Sequence, residues 1–336
     1  MTESRGLGKR DRLHVVQGVT RIGITLGDPA GIGPEIVAAT LATASDELRS
    51  RLVVFGDRDP LERGARALGL TVPAVAIIGD GAGARTTPGE PDEHSGAAQV
   101  GYLEAAVASA RRGEIAAIVT APINKTWAKR AGFAFPGHTE MLAERFGASD
   151  VAMLFAGPKL KVALVTVHVS LADVARLVTT SRVQRVIELL AVSLARDFGI
   201  AAPRIGVVGL NPHAGEGGML GLEDRDVIAT AITGAYGPAM VAGPLVPDVV
   251  FRDAVQGKYD GLVAMYHDQA LIPVKLVDFD DSVNVTLGLP IVRTSPDHGT
   301  AYDIAGRGLA RATSMQRSLA LAIDMVRRRV THGETL

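Results

Sequence analysis

Three histidines stand where an α/β protein does its chemistry. The apolar, β-branched run Val162–Val167 leads at once to His168, Ile205–Leu210 leads through Asn211 and Pro212 to His213, and Gly261–Met265 leads through Tyr266 to His267. They are 45 and 54 residues apart, each about one strand-and-helix repeat. Neutral imidazole is the commonest metal ligand, and three protein ligands with one open position make a catalytic metal site. Taken singly, each also reads as a hydrogen-bonded histidine at the top of a strand, and no HExxH spacing decides between the two. The chain has no cysteine, so a metal must rest on imidazole and carboxylate. Lys125, Lys275 and Arg293 each follow a strand-like run. Each can meet a phosphate or be merely solvated. Two glycine-bearing segments are equally open. Gly27–Glu35 can present backbone N–H groups to an anion or form a tight turn, but it fits neither GxGxxG nor GxxxxGK[ST]. Asn211–Gly218 can admit a substrate close to the backbone or simply turn the chain.

These positions require a scaffold that sets strand ends side by side. Strand-like runs recur at Arg21–Leu26, Leu52–Phe55, Ile115–Thr120, Val162–Val167, Ile205–Leu210, Gly261–Met265 and Val283–Thr286. Helical spacing fills the intervals, as in Ala97–Arg112, Val183–Phe198 and Leu319–Val330, where Leu319, Ala322, Ile323, Val326 and Val330 share a face. The pattern predicts an α/β fold with mostly parallel sheet covered by helices on both faces. A helix should start near Pro34, and Gly79–Ser95 reads as a long exposed loop. Arg327–Arg329 should complement the dipole at the end of the last helix.

Composition removes several functions. Lys+Arg 35 against Asp+Glu 36 leaves a net charge of −1, and aromatics are 4%, so neither a phosphate-backbone footprint nor a stacking platform for nucleic acid is present. No apolar stretch reaches membrane-span or signal-peptide length, which predicts a cytoplasmic protein without membrane partners. Residues 1–20 read as a flexible tail.

Seven blocks, in order, carry a family resemblance: LGDPAGIGPEI (Leu26–Ile36), TAPINK (Thr120–Lys125), PGHTE (Pro136–Glu140), TVHVSL (Thr166–Leu171), GLNPHAGEGG (Gly209–Gly218), AMYHDQALIPVK (Ala264–Lys275) and VNVTLGLPIVRTSPDHGTAYDIAG (Val283–Gly306). Over roughly residues 21–330 the chain resembles the 4-hydroxythreonine-4-phosphate dehydrogenase family of pyridoxal phosphate biosynthesis. The resemblance implies two α/β/α lobes around a central cleft, as in isocitrate and isopropylmalate dehydrogenases. Residues 21–125 plus 285–336 would form the cofactor-binding lobe, and 126–284 the metal, substrate and dimerisation lobe. It further implies a homodimer with sites at the subunit interface, NAD or NADP as cofactor, and one divalent metal ion per site, whether zinc, magnesium, cobalt or manganese.

Carried over by motif, His168, His213 and His267 are the implied metal ligands, and His138, Thr139, Lys275, Asn284 and Arg293 the implied substrate-binding residues. Gly27, Asp28, Gly31 and Gly33, with His298, Gly299 and Thr300, look like counterparts of the cofactor loops of the wider fold. Lys275 and Asp248 are candidates for the general base. The implied reaction oxidises 4-phosphooxy-L-threonine to a β-keto acid that loses carbon dioxide to give 3-amino-2-oxopropyl phosphate. A sister specificity for D-threonate or D-erythronate 4-phosphate stands beside it. Phosphate acyltransfer on a related fold is the rival of another enzyme class, and a two-lobed solute-binding protein is the non-enzymatic one.

Overall fold

The computed structural model describes residues 20–331, so all but the last residue of the expected tail lie outside the described residues. Eleven strands form one sheet: β1 (Ile22–Thr25), β2 (Leu52–Phe55), β3 (Ala76–Ile78), β4 (Ala117–Thr120), β5 (Ala152–Ala156), β6 (Lys161–Leu164), β7 (Arg204–Val208), β8 (Met240–Leu245), β9 (Gly261–Ala264), β10 (Val283–Leu287) and β11 (Val292–Pro296). Their order is β3-β2-β1-β4-β11-β10-β5-β6-β9-β7-β8. Pairing is parallel throughout except where β10 meets β11 and β5, and where β5 meets β6. The sheet is thus mostly parallel, with an antiparallel seam at its centre.

Alternation explains the double-sided burial. Val162, Leu164, Leu262 and Ala264 pack on one face with Val250 and Val274, from the helices Pro247–Val255 and His267–Asp278. Ala163, Val165, Val263 and Met265 point the other way and pack with Val183, Val186 and Leu190 of the helix Thr180–Arg196. Successive strand residues face opposite sides, so strands buried on both sides must be apolar at every position. Among the described residues no helix is long and apolar enough to cross a membrane.

Several sequence expectations need correction. The helix near Pro34 forms, spanning Gly33–Thr43, but Gly79–Ser95 is not a free loop. Asp57 accepts hydrogen bonds from the Gly81 and Gly83 amides and from the Tyr102 hydroxyl, and Arg63 donates to the Ala84 and Thr86 carbonyls. Asp92 caps the helix Glu93–Arg111, whose third residue, Ser95, is fully buried. These anchors lie remote in sequence, which is why composition alone predicts a loop. In the final helix, Thr313–Thr331, Val330 is exposed and Arg329 is buried instead, so this arginine is no helix-end surface charge.

Arg329 donates to both carboxylate oxygens of Asp197, which Arg196 also engages. Burial alone would raise the Asp197 pKa, but the hydrogen bonds from Arg329 and Arg196 outweigh it and hold the pKa below its ordinary value. Removing one partner strands a buried charge, at a cost of about 3–5 kcal/mol. We therefore expect Asp197→Asn to lower the thermal unfolding midpoint markedly at pH 7. Because the folded-state pKa is depressed, this contribution is fully present above the ordinary Asp pKa and fades as pH falls toward the folded value. The gap between wild type and Asp197→Asn should accordingly close in strong acid; a gap that stays constant to pH 2 would contradict the pairing.

Candidate active site

The register of the sheet brings two of the three histidines together. β6 and β9 pair in parallel with Leu164 opposite Ala264, and the pairing continues through Val165 to the Ala264 carbonyl and Thr166 to the Met265 carbonyl. His168 and His267 emerge from these neighbouring ends with ring centroids 5.6 Å apart. Burial first, then the nearby Lys125 and His267 charges, lower the proton affinity of His168, which favours the neutral form that can bind a metal.

His213 takes a different path. β7 also neighbours β9, yet His213, Ala214, Gly215, Glu216 and Gly217 follow one another with φ of 52°, 54°, 79°, 42° and 69°, a left-handed turn. Non-glycine residues in this region cost of order 1–3 kcal/mol each. The buried Asp224 holds the base of the turn, accepting from the Leu210 and Asn211 amides and from Asn211 Nδ2. The turn leaves His213 exposed, bonded to Glu216, whose carboxylate raises its pKa, as does the more distant Asp248. Among the described residues no three His, Asp or Glu side chains are grouped to hold a metal ion.

Beside His168 lies a cavity of about 440 Å³. His138, Thr139, Asn284, Arg293, His298 and Gly299 line it, together with Thr120, Lys125, Glu140, Ser295 and Asp297. Arg293 is not a residue following a strand, as the sequence indicates, but lies within β11, 4% exposed. Its guanidinium donates to Thr286 Oγ1 at 3.2 Å and to Thr120 Oγ1 at 2.8 Å, with no carboxylate in contact among the described residues, and burial pushes its pKa down to about 10. Arg293 Nε, His138 Nε2 and Asn284 Oδ1 are all buried without a hydrogen-bond partner. Three orphaned polar atoms around one cavity fit a polar ligand that offers acceptors to the Arg293 donor and a donor to the Asn284 oxygen, since such groups are costly to leave unpaired.

Lys275 sits in the last turn of a helix, not at a strand end, and pairs with Asp297 at 3.1 Å. It lines a second cavity of about 250 Å³ with Ile32, Phe279, Asp280, Ala301, Ile304 and Arg311. Asp297, His298 and Gly299 border both cavities, so the two adjoin. The Gly27–Gly33 segment, by contrast, is buried and closely packed. Gly27 has φ +69° and faces the Pro122 carbonyl, and a Cβ on Gly31 would stand 2.9 Å from Thr300. Asp28 accepts from the Ala30 amide and the Tyr302 hydroxyl, and Thr300 accepts from the Ile32 amide. These residues shape the cavity wall from behind. Asp248 is exposed near His213 and lines neither cavity. A roomier cavity of about 840 Å³, along the helix Thr180–Arg196, contains none of the expected site residues.

Glu140 and Asp297 were not singled out by sequence, though both sit inside blocks that carry the resemblance, PGHTE and SPDHG. Lys125 was noted only as a possible phosphate cation; it opens the helix Lys125–Arg130, whose amides Asn124 caps.

The same fold and chain length recur in solved proteins. The crystal structure of 4-hydroxythreonine-4-phosphate dehydrogenase from Klebsiella pneumoniae superposes with a TM-score of 0.81 at 39% identity, covering 91% of this chain and 99% of that one. Curated relatives from Geobacter metallireducens and Desulfosudis oleivorans, both bearing that enzyme name, are 46% and 45% identical over 94% and 90% of this chain and 98% and 95% of their own lengths. The chain is therefore an α/β oxidoreductase of the nicotinamide-dependent kind. Within that class it belongs to the family described as pyridoxal phosphate biosynthetic protein PdxA, whose model matches residues 47–322.

Burial first, and then the Arg293 and Lys125 charges, push the His138 pKa well below its ordinary value. His138 should stay neutral through the range near pH 6.5 where a free histidine titrates. Proton-detected NMR on histidine-labelled protein checks this, and a His138 resonance titrating near the free value would contradict the geometry.

Proposed function

We propose that this chain oxidises 4-hydroxythreonine 4-phosphate with NAD or NADP, yielding a β-keto acid that loses carbon dioxide to give 3-amino-2-oxopropyl phosphate. The observation that carries this reading is Arg293, a buried guanidinium with no carboxylate partner and an orphaned Nε, beside orphaned atoms of His138 and Asn284. A phosphate monoester carries the charge and the acceptor oxygens that would satisfy Arg293 Nε and, in its Nε2–H tautomer, His138, while Asn284 Oδ1, itself an acceptor, would take a hydrogen bond from a substrate hydroxyl. Thr139, on the same helix N-terminus as His138, adds a hydroxyl. On this reading one end of NAD or NADP would enter the adjoining cavity of about 250 Å³, with His298 and Gly299 on the shared wall and Thr300 behind it, buried against Gly31. On this reading residues 21–125 with 285–336 serve the cofactor, and 126–284 serve metal, substrate and dimerisation.

NAD or NADP, when bound, would supply the acceptor for the hydride of the substrate's secondary alcohol, whose proton would go to a base of this chain, and the C1–C2 bond of the resulting β-keto acid would then break with release of carbon dioxide. Lys275, held by Asp297 at the junction of the cavities, is the better placed of the two base candidates within one chain. The donor set fits a divalent ion when two copies are combined: His168 and His267 from one, and the exposed His213 of a second copy. Zinc, magnesium, cobalt or manganese bound there would supply a Lewis acid for the developing negative charge on the substrate oxygen. Exposed apolar surface supports the homodimer. Of fifteen large apolar side chains exposed among the described residues, twelve lie between Val169 and Phe279, about a third of the chain, which begins beside His168 and carries His213 and His267.

Two experiments test this reading. Arg293→Ala should weaken the Michaelis complex about ten- to a hundredfold and abolish the preference for the phosphorylated substrate over its dephosphorylated analogue. Unchanged discrimination in steady-state kinetics would remove the phosphate from this pocket. His168→Ala and His213→Ala should each be inactive as pure proteins. Mixed after unfolding and refolding together, they should regain about a quarter of wild-type activity, because half of the dimers are hybrid and each hybrid has one intact site. No recovery from a mixture shown to contain hybrid dimers would place the histidines in separate roles.

A further inference from the structure

Outside the turn that carries His213, Ala301 is the only non-glycine residue among the described residues with a positive φ, at 43°. A residue with a Cβ rarely enters this left-handed region, and it stays there only where its surroundings over-determine the backbone. Ala301 lines the second cavity, and the nearby His298 and Gly299 border both cavities. The strain therefore sits in the strip between them. An anchor stands on each side of it, and both run to the segment just before the helix Gly33–Thr43. The Thr300 carbonyl accepts from the Ile32 amide at 2.9 Å, and the Tyr302 hydroxyl donates to Asp28 Oδ2 at 2.7 Å.

The first anchor joins backbone to backbone, but the second needs two particular side chains. Asp28 is fully buried, and its other oxygen accepts from the Ala30 amide at 2.9 Å. Burial outweighs the hydrogen bonds from Tyr302 and Ala30 and raises the Asp28 pKa, so the surroundings destabilise the charged form. Stability alone gives no reason for a carboxylate here. We propose that Asp28 is a positioning residue for the nicotinamide cofactor: through the Tyr302 hydroxyl it holds Ala301 in the left-handed conformation and so fixes the strip His298–Ala301 between the cavities. This rests on the reading that one end of NAD or NADP enters the second cavity. Released from Asp28, Ala301 relaxes toward negative φ and the wall it belongs to moves, while the sheet behind it stays in place. Cofactor affinity then falls by the fraction of molecules that still hold the strip in its binding form.

The test measures the Kd of NADH and NADPH by nucleotide fluorescence on the metal-loaded protein without substrate, together with hydrogen–deuterium exchange of residues 298–302. Tyr302→Phe and Asp28→Ala should each raise Kd about five- to a hundredfold and quicken exchange in that segment. Asp28→Asn should stay within about threefold of wild type, because its amide can accept from Ala30 and donate to the tyrosine oxygen. Ala301→Gly removes the conformational penalty that the anchor opposes, so adding Tyr302→Phe to that variant should change Kd by less than about threefold. An unchanged Kd in Tyr302→Phe, whatever its melting temperature, overturns the proposal while the cofactor reading stands. So does a loss from Tyr302→Phe that is equally large with and without Ala301→Gly. A wild type that binds neither nucleotide overturns the cofactor reading, and the positioning role with it.

Discussion

A guanidinium in the middle of a sheet governs this structure. Arg293 lies on β11 between the parallel strand β4 and the antiparallel strand β10, and each neighbour contributes one threonine hydroxyl to it. Hydroxyls satisfy hydrogen-bond geometry but bring no countercharge, so desolvation of the cation is only partly offset. A stability argument alone would place an apolar residue here. An anion entering the cavity would meet a donor already fixed in position, with no reorganisation left to make.

The antiparallel seam makes this placement possible. Were β10 parallel to its neighbours, Asn284 would not sit opposite Ser295, and Thr286 would not stand within reach of Arg293. The parallel remainder of the sheet does the other half of the task by aligning the ends of β6 and β9, so that His168 and His267 face one another. The two geometries meet at His168, which lines the same cavity as Arg293 and also stands against His267.

What was legible in the sequence follows from the same physics. Seven strands announce themselves: β1, β2, β4, β6, β7 and β9 are apolar except at an end residue, as strands buried on both faces must be, and β10, VNVTL, shows through its β-branched residues. The other four hide for separate reasons: β3 is three residues at an edge, β5 lacks β-branched residues, β8 contains Gly243 and Pro244, and β11 carries Arg293, Thr294 and Ser295. The buried polar residues of β11 disguise the strand most important to the cavity. His168 and His267 could be paired from strand-end positions, whereas the departure of His213 depends on left-handed backbone angles that glycine permits but sequence does not announce. His138, Asn284 and Thr139 came only from the family resemblance, since nothing in their types or spacing distinguishes them. Glu140 and Asp297 needed coordinates, because their relevance lies in what they face.

Gly31 never touches the substrate cavity, yet the position of the wall depends on it. Its missing side chain lets Thr300 lie against the Gly27–Ile32 segment, where the Thr300 carbonyl accepts from the Ile32 amide. Thr300 is covalently next to Gly299 and His298, the residues that border both cavities. Any side chain at position 31 must therefore displace the strip between the two cavities, so substitutions at 31 and 298–300 cannot drift independently. Across members of the family, these segments, some 270 residues apart in sequence, should be found to vary together or not at all.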